Sequence, residues 1–155
     1  MSIEDNKAVV QAIYDHFNRH DLERAVSLVT GDFELIDLAM GQTFNGPEGF
    51  RHWLQGHLTP LPDAQVEVVS IVAEGDWVAT EHIGRGTHDG PLMTPAGEVP
   101  PTHRSIELKV AEFYELHNGK VRRMRTYFDQ GAVMREFGLS PSGAEPAMEA
   151  QPIRS

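Results

Sequence analysis

The stretch "GKVRRMRTYFDQ", residues 119–130, opens on a turn glycine and runs on as a strand. As a strand it sends Arg123, Arg125, Tyr127 and Asp129 to one side and Arg122, Met124, Thr126 and Phe128 to the other. The first face is basic and polar. The second is mostly apolar, with one hydroxyl in its middle. Immediately upstream, "HNGK" (117–120) is a hairpin turn of the Asn-Gly kind, and "HRSIELKVAEFYEL" (103–116) reads as a long strand. Two more strands precede it, "QVEVVSIVA" (65–73) and "WVATEHIGRGTH" (77–88), joined by the tight turn "EGD". Between them and the last hairpin lies "DGPLMTPAGEVPP" (89–101), which reads as a proline- and glycine-rich loop.

The first third of the chain has a different period. Val9, Val10, Ile13, Tyr14 and Phe17 recur at three- and four-residue steps, predicting a helix over about residues 4–18 with Ser2 and Asp5 as a capping box. Asp21 caps a second helix through Leu22, Val26 and Val29. "DFELIDL" (32–38) is a strand with Phe33, Leu35 and Asp37 on one face. "NGPEG" (45–49) turns into a third helix carrying Phe50, Trp53 and Leu54, with Pro47 at its start. "GAVMREFGL" (131–139) is a short closing helix. Helices followed by an antiparallel meander predict an α+β fold, in which a strongly bent, cone-shaped antiparallel sheet wraps three N-terminal helices around a conical cavity. One domain is expected over residues 1–139, and "SPSGAEPAMEAQPIRS" (140–155) has the composition of a disordered tail.

Composition narrows the function classes. The net charge of -10 argues against nucleic acid and against an anionic membrane surface. The arginines at 122, 123 and 125 are divided between two strand faces, which suits a solvated or subunit-facing surface better than a phosphate site. The absence of cysteine removes disulfides and thiolate chemistry. "MSIEDNK" lacks a basic segment followed by an apolar one, and no apolar run approaches the roughly 20 residues of a membrane span, so a cytoplasmic location is the default.

"GRGTHDG" (84–90), "VPPTHR" (99–104) and "NGKVRRMRTYFDQGAVMREFGL" (118–139), in this order, resemble the SnoaL-like polyketide cyclases of the nuclear transport factor 2-like superfamily. The resemblance covers about residues 3–139 and implies the cone-shaped fold described above. It also implies cofactor-free proton abstraction next to a carbonyl, followed by ring closure. Alignment on Gly119 and Lys120 puts the family's carboxylate base at position 126, here Thr126, and its assisting histidine at 112, here Glu112. A threonine cannot serve as that base near neutral pH. The ketosteroid isomerases of the same superfamily fit differently. Their base falls at Asp37 and their acidic hydrogen-bond donor at Glu112; their tyrosine falls near Ile13, with Tyr14 adjacent but on another helix direction.

The residues support that pairing independently. Asp37 shares a face with Phe33 and Leu35, and Glu112 with Val110, Tyr114 and Leu116. An inward carboxyl among such neighbours is desolvated, and two in one cavity divide into one base and one acid. The competing reading places either carboxyl at the rim, solvated or paired with an arginine such as Arg51. His82 shares strand parity with Val78 and Thr80, and His88 matches the histidine of the Gly-x-His-x-Gly element, so both are candidate helpers. His103 reads as a loop contact, His52 and His57 as surface, and Asp129 as a cap for the last helix. His16 and His20 are one helical turn apart but lie off the apolar stripe, without the His-Glu-x-x-His pattern of a metal site, so no metal is expected.

These readings converge on a cofactor-independent cyclase or isomerase for a small hydrophobic ketone or polyketide-like substrate. Asp37, Glu112, His82 and His88 are its catalytic candidates. Tyr14, Phe17, Trp53, Tyr114, Met124, Thr126 and Phe128 are candidates to line the pocket. A non-catalytic binding protein for an apolar metabolite is the alternative. An epoxide hydrolase fits less well, because His82 and Gly84 stand where Arg and Asp are needed. A homodimer through the outer sheet face is expected.

Overall fold

The computed structural model describes residues 2–139. Ser2 and Asp5 close the capping box at the start of helix α1, Ile3–Asn18, each side chain accepting from the other's backbone N–H. The stripe Val10, Ile13, Tyr14 and Phe17 is buried as its period requires. Asp21 caps α2, Leu22–Val26, which ends earlier than the apolar spacing suggests, because Val29 opens strand β1, Val29–Asp37. A four-residue strand β2, Gln42–Asn45, returns antiparallel along β1. None of its residues is fully buried, which is why no apolar alternation announces it. Helix α3, Gly46–Leu58, carries Pro47 in its first turn and buries Phe50 and Leu54.

The remaining strands are β3 (Gln65–Glu74), β4 (Trp77–Thr87), the small hairpin β5 (Leu92–Thr94) and β6 (Gly97–Val99), β7 (Ser105–His117) and β8 (Lys120–Tyr127). The hairpin occupies the segment that reads as a loop, because proline and glycine mask its two three-residue strands. Asp129 caps α4, Gln130–Glu136, by accepting the N–H of Ala132.

The six-stranded sheet has the order β2-β1-β8-β7-β4-β3. All its pairings are antiparallel except β1 with β8, which run parallel. One reading of the opening stretch needs correction. A bulge between Glu115 and Leu116 shifts register, so Val121 and Met124 are buried. Arg122 leaves the apolar face there and pairs with Glu115 at 2.8 Å. From Arg123 onward the predicted alternation holds, with Met124 and Thr126 inward and Arg123 and Tyr127 outward.

Candidate active site

The sheet registers draw one polar line across its inner face. Asp37 on β1 is level with Thr126 on β8, Thr126 with Glu112 on β7, and Glu112 with Thr80 on β4. These four side chains are between 1% and 3% exposed. The next line is apolar and holds Leu35, Met124, Tyr114 and Val78. The polar line therefore lies beside a hydrophobic layer, and its carboxyl groups do not face bulk water.

Each carboxyl group is positioned by donors from other elements. Asp37 accepts the backbone N–H of Met40 at 2.9 Å through Oδ1 and the indole N–H of Trp53 at 3.2 Å through Oδ2. Trp53 comes from α3, so the helix and the β1–β2 turn together fix this carboxyl, and each oxygen keeps a lone pair. Arg51 pairs with Glu23 and Glu48 and leaves Asp37 free of cationic partners. Glu112 accepts through Oε1 from the phenol of Tyr14 at 2.7 Å and that of Tyr114 at 3.1 Å. Tyr14 and Thr80 hydroxyls are 2.7 Å apart, and Tyr114 also reaches Tyr14 at 2.8 Å. His82 completes the group, with Nδ1 3.5 Å from Glu112 Oε1 and its ring 5.1 Å from that of Tyr14.

Burial pushes both phenols well above their ordinary pKa, and the neighbouring Glu112 carboxyl adds to the shift. Tyr14 and Tyr114 therefore remain O–H donors through the neutral range. The direction expected for Tyr14 needs correction. The helix turns its side chain into the sheet, and it joins Glu112 directly, where Ile13 packs as core.

His57 also differs from its surface reading. It is half-buried on α3, its ring edge-on to Trp53 at 4.5 Å. It sits within the electrostatic reach of Glu112, Asp37 and His82, while desolvation lowers its pKa. Its place one turn after Trp53 was the available signal, since residues four apart share a helix face.

The structure separates His88 from this group. His88 is fully buried, with Nδ1 2.8 Å from the Thr102 hydroxyl and its ring edge-on to Phe137 at 4.8 Å. Its backbone also bonds to Arg104 and His103, so it fastens the segment between β6 and β7 to the last helix. Phe17 is core, with its ring toward His20, and Phe128 is half-buried beyond Thr126. His103 pairs with Asp89 at 2.7 Å, as a loop contact should. His20 approaches the carbonyl of Ala64 at 3.0 Å. Among the described residues no group of three or more histidines and carboxylates could hold a metal ion. No helix there is long and apolar enough to cross a membrane.

Among the described residues the inner face offers no open route to its carboxyl groups: Asp37 and Glu112 are each 2% exposed, and Trp53 and His57 are half-buried. A hollow of about 390 Å³ lies on the outer sheet face, and its lining includes Glu81, His82, Ile83, Lys109, Ala111 and Tyr127.

The model of the SnoaL-like polyketide cyclase family matches residues 7–137. The chain belongs to that family. Among solved structures, AclR of Streptomyces galilaeus, for which a hydroxylase role has been suggested, is 25% identical with a TM-score of 0.77, over 88% of this chain and 98% of its own. IdmH of Streptomyces antibioticus, a suggested polyketide cyclase, is 26% identical with a TM-score of 0.74, over 86% and 99% of the two chains. A protein with a ketosteroid isomerase-like fold from Catenulispora acidiphila, solved with trimethylamine, is 18% identical with a TM-score of 0.71, over 86% and 94%. No curated protein matches the chain. This SnoaL-like chain thus shares its fold with cyclase-type and isomerase-like proteins, and its own inner face carries Asp37 and Glu112 on either side of Thr126.

Proposed function

We propose that this SnoaL-like chain is a cofactor-independent acid–base enzyme that enolises a small, largely hydrophobic ketone or polyketide-like substrate. The observation that carries the reading is the pair of buried carboxyl groups, Asp37 and Glu112, on one line of the sheet and one residue apart across Thr126. Asp37 takes a proton from the carbon next to the substrate carbonyl. The C–H electron pair forms the new C=C bond, and the carbonyl π pair moves onto oxygen. Glu112 donates a hydrogen bond to that oxygen from Oε2, while Tyr14 and Tyr114 hold Oε1. His82 supports Glu112 from β4. The enolate carbon then attacks a second carbonyl to close a ring, or is reprotonated as an isomer.

Substrate entry displaces the Trp53 and His57 side of the closed site. The same reading takes a second copy of the chain on the outer sheet face, where Phe113 and Tyr127 are 38% and 42% exposed and Arg125 lies over the Trp77 ring at 5.0 Å. Its place is the cytoplasm. Replacing Asp37 with asparagine keeps the shape and removes the base, so turnover falls by about 10² to 10⁴. A loss below about tenfold rejects the assignment. A second reading, a binding protein without turnover, is favoured by the closed site and by the hydroxyl of Thr126 at its centre. A ligand that co-purifies and is recovered unchanged supports it.

A further inference from the structure

Thr126 is the member of the polar line whose hydroxyl has no hydrogen-bond partner among the described residues. Asp37, Glu112 and Thr80 each have hydrogen-bond partners. Thr126 Oγ1 is shielded from solvent and has no partner, although the residue is 1% exposed and level with a carboxyl-bearing residue on either side. A buried hydroxyl left unpaired is unfavourable, and valine fills almost the same space without it. The hydroxyl is therefore explained by a partner that comes and goes.

We infer that the Thr126 hydroxyl binds a second oxygen of the substrate, distinct from the one held at Glu112, and so selects substrates with an oxygen close to the reacting carbonyl. Adjacent strands lie about 4.8 Å apart, so Thr126 is one strand spacing from the base and one from the acid. A substrate reaching from Asp37 to Glu112 passes directly over it. A substituent on the carbon that loses the proton lies within reach of Oγ1, and an oxygen there pairs with the one free hydroxyl of the line. The inference rests on the acid–base reading for the substrate's orientation. Its test needs no turnover.

The experiment is calorimetric binding of 2-acetylcyclohexanone and of acetylcyclohexane, which keeps the skeleton and lacks the second oxygen. Wild type, Thr126→Val and Thr126→Ser are compared, with thermal midpoints measured without ligand. Wild type prefers the diketone by about tenfold, as expected for one hydrogen bond to a buried group. Thr126→Ser keeps the preference. Thr126→Val binds the two ligands within about twofold of each other and melts no lower than wild type. Absence of a preference in wild type overturns the inference, as does a valine variant that retains it. A valine variant that melts several degrees lower also overturns it, because the hydroxyl is then satisfied within the protein. Where valine fails to fold, Thr126→Ala supplies the binding comparison. If Asp37→Asn keeps full activity while the ligand preference survives, the acid–base reading fails and the Thr126 site stands.

Discussion

His82 and His88 arise from one strand and its first following residue, share parity and are both buried, yet only His82 faces a carboxyl group. His88 meets a threonine hydroxyl and a phenylalanine ring. The difference lies in what the neighbouring strand supplies. His82 is level with Val110, two residues from Glu112, on the stretch of β7 that runs between β4 and β8. His88 lies past the end of β4, where the chain leaves the sheet and α4 covers it. Parity decides whether a strand side chain points inward. Only the register across the sheet decides what it finds there.

The largest effects should separate these two regions. Glu112→Gln keeps the shape but weakens the donor set at the enolate oxygen, so the rate of enolisation falls by about 10² to 10³ while the melting point changes little. His88→Ala should do the reverse. Loss of its ring from between Thr102 and Phe137 costs about 2 to 3 kcal/mol of stability, read by denaturant unfolding, with residual activity per folded molecule near wild type. If both variants lose activity in the folded state to the same degree, the two regions are one site and the distinction fails.

pH sharpens the same contrast. The folded-state pKa values of Tyr14 and Tyr114 are raised above their ordinary 10.0, chiefly by burial, so their contribution to stability is complete below pH 10 and is lost as pH rises beyond it. Tyrosinate absorbance from these two residues should appear only with unfolding, and a Tyr14→Phe, Tyr114→Phe double variant should lose that signal. At the other end, burial lowers the pKa of His88 below its ordinary 6.5. Its contribution is complete above pH 6.5 and is lost as pH falls through the folded value, so acid unfolding should begin earlier in wild type than in His88→Phe. The smallest effect belongs to Asp129, which caps α4 beyond the His88 region. Asp129→Ala should cost about 1 kcal/mol and leave the rate unchanged.

The helices, the long strands and the inward parity of Asp37, Thr80, His82 and Glu112 are legible because burial imposes a period on the sequence. The short strands β2, β5 and β6 are not, because four residues or fewer with mostly exposed side chains carry no period. The inward position of Arg122 failed for a related reason: a bulge changes parity without any mark in composition. Of the site, the two carboxyls were identifiable by alternation and by resemblance. The Tyr14 contact was not, since it depends on how α1 rotates against β4 and β7, which only packing fixes. His57 was signalled only by its place one turn after Trp53, whose indole reaches a carboxyl on a strand sixteen residues earlier.

Proton abstraction at Asp37 is the chemistry proposed for the buried polar line. The most direct measurement is deuterium uptake from heavy water into a panel of enolisable ketones, followed by NMR, with wild type and Asp37→Asn side by side. Wild type should catalyse uptake, and the rate should fall by about 10² or more in the variant. Equal uptake by the two proteins, or none by wild type across the panel, would rule out Asp37 as the base.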